Sequence, residues 1–217
     1  MTRGILIAGN GSPLFYALGA EAARRVSGYA AAFIPQSRDA PLRSEPARQI
    51  TLEWNSPSPI SARTLVLSAV NRLEHIDEAI LVCVPPVCRK RAEDLALPEI
   101  DTYADDQIKR WIFLVRELAL IFRARESGTL ALVLSGTGAG TRDETADLLG
   151  LPAAAAFRAL AQGVLASSQN APYNVMGFSC SDPGEENPFA AHIFKTMEEG
   201  RRNSGKWHKY GKFSLFR

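Results

Sequence analysis

Apolar residues in this chain come in short runs that alternate with longer stretches of helical spacing. Gly4 to Ala8 is an apolar run that ends in the turn Gly9-Asn10-Gly11-Ser12-Pro13, and Leu14 to Val26 follows with helix-like periodicity, which predicts strand, tight turn and helix. Tyr29 to Pro35 and Gln49 to Trp54 predict two further strands. Pro59 to Leu73 predicts a helix with Leu65, Val66, Ala69, Val70 and Leu73 on one face. Ala79 to Val84, closed by Pro85-Pro86, is a continuous apolar run of the kind buried on both faces of a parallel sheet. Asp105 to Arg123 predicts a long helix with Asp106 near its N-cap, and Gly128 to Ser135 a strand. Pro152 to Ser168 is an Ala-rich helix with proline near its start, Asn174 to Cys180 a sixth strand, and Lys212 to Phe216 a candidate seventh.

Strands alternating with helices need crossover connections. The fold class expected is therefore α/β: three layers, a doubly wound and mainly parallel sheet of about seven strands, with ligands at the carboxyl ends of the strands. A chain of 217 residues fits one such domain, spanning 1–217, and Arg38 to Arg48 reads as its most mobile loop.

Composition narrows the function classes. The chain is 46% hydrophobic and 22% charged, yet no apolar run approaches the ~20 residues of a membrane helix, so a soluble protein with no membrane partner is expected. A net charge of +2 gives no footprint for nucleic acid, and the basic group Arg201, Arg202, Lys206, His208, Lys209 and Lys212 reads as a solvated face. Ile5 to Ala8 runs straight into glycines with no cleavage pattern after it, so the expected location is cytoplasmic. Cys83, Cys88 and Cys180 form no disulfide framework, and His75, His192 and His208 lack metal-ligand spacing, so no metal is expected.

The ordered set of landmarks resembles the short-chain dehydrogenase/reductase family over nearly the whole chain. Ile5 to Ser12 is placed like that family's first strand and glycine-rich nucleotide turn. Leu52-Glu53-Trp54-Asn55, then Leu73 to Val82 with Asp77 leading into the strand, look like its third and fourth strands. Ser181-Asp182-Pro183-Gly184 stands where the family carries a Pro-Gly pair after the sixth strand. The resemblance implies a Rossmann-type fold, NAD or NADP as cofactor, and a homodimer or homotetramer joined through the Asp105–Arg123 and Pro152–Ser168 helices. The cofactor-binding candidates it implies are Gly9, Asn10, Gly11, Ser12, Pro85 and Gly184, with Arg38 where a basic group could meet the extra phosphate of NADP.

The chemistry of that family is largely substituted. Its turn reads Gly-x-x-x-Gly-x-Gly, and here Gly9 fits the first position while Pro13 and Phe15 stand at the others. Pro13 removes an N–H that could meet phosphate, and Phe15 puts a large ring where two elements must pack closely. The family's general-acid tyrosine aligns with Ala154, and its lysine four residues later with Arg158. Ser135, with Thr137 as alternative, falls near the substrate-binding serine, and Gln107-Ile108 near the family's asparagine. Catalytic candidates are thus Ser135 and Arg158. The function expected is a non-catalytic binding or oligomerising module that retains a nucleotide, the alternative being a divergent NAD(P)-dependent oxidoreductase acting on a small carbonyl or alcohol.

Overall fold

The computed structural model describes residues 3–33, 49–54, 58–136, 147–180 and 184–211. Its seven strands are β1 (Ile5–Gly9), β2 (Tyr29–Phe33), β3 (Gln49–Glu53), β4 (Glu78–Cys83), β5 (Thr129–Ser135), β6 (Asn174–Cys180) and β7 (Trp207–Tyr210). They form one sheet in the order β3-β2-β1-β4-β5-β6-β7, every neighbouring pair parallel. The chain winds outward from β1 to β3, then returns to lay β4 on the other side of β1. That reversal opens a crevice above the carboxyl ends of β1 and β4, where ligands bind in open sheets of this kind.

The two-residue period of the strands sorts their side chains between two cores. Ile5, Ile7, Ile80, Val82, Val133 and Phe178 point to one face, which α1 (Pro13–Arg25) and α6 (Glu186–Glu198) cover. Leu6, Ala8, Leu81, Cys83, Leu132 and Leu134 point to the other, under α2 (Pro59–Leu73), α4 (Arg110–Arg125) and α5 (Gly150–Ser167). Ser12 and Ser58 start their helices alike: each hydroxyl accepts a hydrogen bond from the amide three residues on, and proline fills the first helical turn. Asp77, the aspartate before β4, accepts the Gly4 amide at 2.8 Å and so ties the start of β4 to that of β1.

Four elements differ from the sequence expectation. The helix expected from Asp105 begins earlier, as α3 (Leu97–Ala104), and passes through one π-helical stretch, Asp105–Lys109, before α4. Asp106 therefore lies inside a continuous helical path, and the start is fixed by Glu99 reaching back to the Ala96 amide at 3.1 Å. No residue of α3 is buried, so it has no apolar stripe to read. Helix α6 was not anticipated, although Phe189, Ala190, Ile193, Phe194 and Met197 mark its buried face at helical spacing. The seventh strand of the sheet is Trp207–Tyr210; Lys212–Phe216 lies outside the described residues.

Gly177 admits that edge strand: a Cβ there would sit 2.2 Å from the Trp207 ring. Trp207 and Tyr210 are thus part of the edge itself. No described helix is long and apolar enough to cross a membrane.

Candidate functional site

The turn after β1 is built for close packing. Gly11 adopts a left-handed conformation (φ +66°), which turns the chain into α1, and Ser12 caps that helix. Phe15 is buried without displacing α1, because its ring lies over Gly9, where a Cβ would stand 3.0 Å from Cδ2. The missing side chain at one family position thus makes room for the ring at another, which corrects the expectation of a steric conflict at Phe15. The close contact of α1 with β2 falls at Gly19 instead, where a Cβ would be 2.6 Å from the Tyr29 hydroxyl. Pro13 occupies the first helical position and offers no N–H, and the Phe15 amide is spent on the Ser12 hydroxyl at 3.3 Å. The first turn of α1 thus has fewer donors for an anion than an unsubstituted helix start.

Across the crevice, the Asn10 side-chain amide donates to the Val84 carbonyl at 2.9 Å, joining the loop after β1 to the loop after β4. Pro85 is half-buried directly beyond that bond. Asp147 fastens the same loop to α5, its Oδ1 accepting from the Cys88 amide at 2.9 Å and the Gly150 amide at 2.8 Å. The Tyr103 hydroxyl donates to the Leu149 carbonyl, and burial, with nearby Asp147 and cysteines, pushes that phenol well above its ordinary range. An open cleft of about 570 Å³ remains between the starts of α1 and α6, lined by Gly11, Pro13, Tyr16, Ala17, Glu186 and Asn187. Gly184 stands just before α6 with φ +84°, and its amide donates to Glu186 at 3.4 Å.

Ser135 ends β5, part-buried and in register with Cys180. Ala154 is buried in the core that α2, α4 and α5 cover. Arg158 lies one turn further along α5, and its guanidinium covers the Trp207 ring at 5.5 Å. Trp207 pairs with Gly177, whereas Ser135 pairs with Cys180 at the carboxyl end of β6, so Arg158 is directed toward mid-strand and away from Ser135. Arg38 and Thr137 lie outside the described residues. Tyr173 packs on Phe122 on one face of the sheet, and Lys195 is exposed on α6 on the other. Among the described residues no group of three His, Cys, Asp or Glu is placed to hold a metal ion. Burial pushes the Cys83 thiol up to about 12, so it stays protonated and unreactive at neutral pH.

A group on the α2/α4/α5 face lies outside the candidate site residues that the sequence singles out. Trp54, just after β3, meets Trp111 of α4 edge-on at 5.8 Å between ring centroids, and Trp111 meets Phe157 of α5 at 5.2 Å. Arg110 stands against both indoles, 4.3 Å from the Trp111 ring and 5.7 Å from that of Trp54. Its exposure is 1%, and burial lowers its pKa to about 10, so it remains charged. One signal in the sequence pointed to it: Gln107, Arg110, Trp111, Leu114, Val115, Leu118 and Phe122 follow helical spacing, which puts a charged residue on the buried stripe.

No protein-family model and no curated protein matches the sequence. Solved structures do match. A short-chain dehydrogenase from Mycobacterium smegmatis superposes with a TM-score of 0.76 at 14% identity, over 99% of this chain and 93% of that one. Serine dehydrogenase from Escherichia coli gives 0.76 at 11% identity, over 99% and 100%. An NADH-dependent reductase, A1-R', in complex with NAD gives 0.74 at 14%, over 100% and 98%. The chain therefore has the short-chain dehydrogenase/reductase fold, as the order of its sequence landmarks implies.

Proposed function

We propose that this chain is a single-domain, non-redox binding and oligomerising module that uses the short-chain dehydrogenase/reductase scaffold without its chemistry. The observation that carries this reading is Ala154. It stands buried where the family's general acid aligns, and an alanine has no proton to give. Arg158 keeps a charge at the lysine's place but stacks on Trp207, and Tyr103, which approaches the same end of α5, has a raised pKa and commits its hydroxyl to Leu149. NAD or NADP is the candidate ligand, held at Gly9, Asn10, Gly11, Ser12, Pro85 and Gly184. The open cleft beside Gly11 and the likeness to a reductase solved with NAD support that assignment.

A homodimer or homotetramer in the cytoplasm is the expected working form. The exposed side of α5 is rich in small residues, with Ala155, Ala159, Gly163 and Ala166 beside Gln162, and Ile112 and Leu120 stand exposed on α4.

The test is a titration with NADH and NADPH, followed by nucleotide fluorescence and melting temperature, beside a turnover assay on a panel of aldehydes and ketones. Saturable binding with a raised melting temperature and no turnover is the expected result. Turnover would replace this reading with that of a divergent oxidoreductase working through Ser135 and Arg158. Absence of nucleotide binding would leave oligomerisation as the module's task. Ala154→Tyr combined with Arg158→Lys is expected not to create activity.

A further inference from the structure

We infer that Arg110, Trp54, Trp111 and Gln107 form a second binding site, which takes the oxyanion group of a small carboxylate or phosphate compound. The inference stands whether or not a dinucleotide occupies the crevice between β1 and β4.

A guanidinium offers its N–H groups in the plane of the fork and only its π face to a ring stacked on it. The Trp111 and Trp54 rings, 4.3 and 5.7 Å from the guanidinium carbon and 5.8 Å from each other, lie on one side of Arg110. In the plane, Nε and Nη2 are fully buried, and among the described residues neither meets a hydrogen-bond acceptor. The indole Nε1 atoms of Trp54 and Trp111 are buried in the same condition, as is Oε1 of Gln107. Four buried donor atoms and one buried acceptor thus belong to Arg110 and the residues grouped with it. Buried polar groups are nearly always paired, and a group with such an excess of donors is complementary to an anion that accepts several bonds at once. A carboxylate or a phosphate does this through two or more oxygens on the Arg110 fork. Aspartate 106 and the Cys83 thiol act on the guanidinium electrostatically, but they leave its pKa lowered by burial.

The placement in the fold agrees. Trp54 follows the carboxyl end of β3, and Cys83 closes β4, so the group lies at the end of the sheet where this architecture binds ligands. Arg110 follows directly on the π-helical stretch Asp105–Lys109, whose buried residue is Gln107. Such stretches are rare and concentrate at functional sites, because the widened turn re-aims side chains at the expense of regular helix bonding. The site is closed in the present conformation, with Arg110 and Trp54 1% exposed and Trp111 fully buried.

The experiment uses the full chain with Trp207→Phe, so that indole emission comes from Trp54 and Trp111 alone. Sodium acetate, sodium benzoate and inorganic phosphate are each titrated at ionic strength held constant with potassium chloride, following emission and melting temperature. A saturable emission change with a rise in melting temperature is expected for a carboxylate, for phosphate, or for both, and the arm that responds at lower concentration identifies the group. Arg110→Met should abolish the response, and Arg110→Lys, which keeps the charge but loses the fork, should weaken it at least about tenfold. Trp111→Phe, which keeps a ring but removes one donor, gives an intermediate loss and serves should Arg110→Met fail to fold. No saturable response in the parent, or an equal response in Arg110→Lys and Trp111→Phe, overturns the proposal. Repeating the titration with NADH present separates this site from the crevice: an unchanged midpoint is expected, and direct competition overturns its standing as a second site.

Discussion

The two faces of the sheet solve the same packing problem differently. Under α1 and α6, rings close onto glycines: Phe15 lies over Gly9, and the Tyr29 hydroxyl lies under Gly19, where it bonds Gln49 at 2.9 Å. Burial pushes that phenol up to about 12, consistent with a neutral, apolar setting. Under α2, α4 and α5 the core is as tightly buried but encloses two guanidinium nitrogens of Arg110, two indole N–H groups and an amide oxygen without acceptors or donors among the described residues. Packing alone accounts for the first face. It does not account for the second, since an apolar side chain of similar volume would fill the Arg110 position without a desolvated charge. The difference is between a core whose side chains are explained by packing and one that holds buried polar atoms packing does not explain.

Substitutions on the second face break this comparison most sharply. Trp111→Ala removes a fully buried ring that touches Trp54, Arg110 and Phe157, and is expected to cost about 3–5 kcal/mol in urea unfolding. Its neighbour should behave oppositely: Arg110→Met is expected to be neutral or to stabilise by up to about 1–4 kcal/mol, because it removes a buried charge whose N–H groups are not all paired. A loss of several kcal/mol in that variant would mean the charge is compensated in the fold, and the contrast between the faces would disappear.

On the first face, Gly9→Ala presses a Cβ onto Phe15 and the Val82 carbonyl, and a loss of about 1–3 kcal/mol is expected from the same measurement. Asn10→Ala removes the bond across the crevice to Val84, worth about 1 kcal/mol, and hydrogen exchange should show faster opening of the loop after β4.

The smallest effect lies at the amino end of the sheet and depends on pH. Burial pushes the Glu21 carboxyl up, but hydrogen bonds from Arg24 and Arg25 outweigh it and hold the folded pKa below the ordinary value of 4.5. The stabilisation is therefore fully present above the unfolded-state pKa and is lost as pH falls through the folded one. Glu21→Gln should cost under about 1 kcal/mol at neutral pH, given the partly exposed arginines, and the difference from the parent should vanish in acid. A constant difference across pH would assign the effect to packing.

Much of this architecture was legible in the sequence because its signals are local. The runs at Ile5–Ala8, Ala79–Val84 and Asn174–Cys180 reappear as β1, β4 and β6 with ends moved by a residue at most. Helix α3 escaped because none of its residues is buried, and the π stretch because helical spacing does not distinguish it from an α-helix. The candidate site was legible only as a set of substitutions. Ala154 and Arg158 could be read as departures from a pattern, whereas the stacking of Arg158 on Trp207 depends on β7 pairing beside β6.

By itself the sequence determined the alternation of strands and helices, the glycine-containing turn before α1, and the absence of an ionisable group at position 154. These follow from side-chain periodicity and residue identity, which need no knowledge of the rest of the chain. Tertiary structure alone decided that Phe15 packs on Gly9, that Asn10 bridges to Val84, and that Trp54 meets Arg110 and Trp111. Each of the last two joins residues from separate crossover units. Such a meeting is set by strand order and helix placement, which no local spacing encodes.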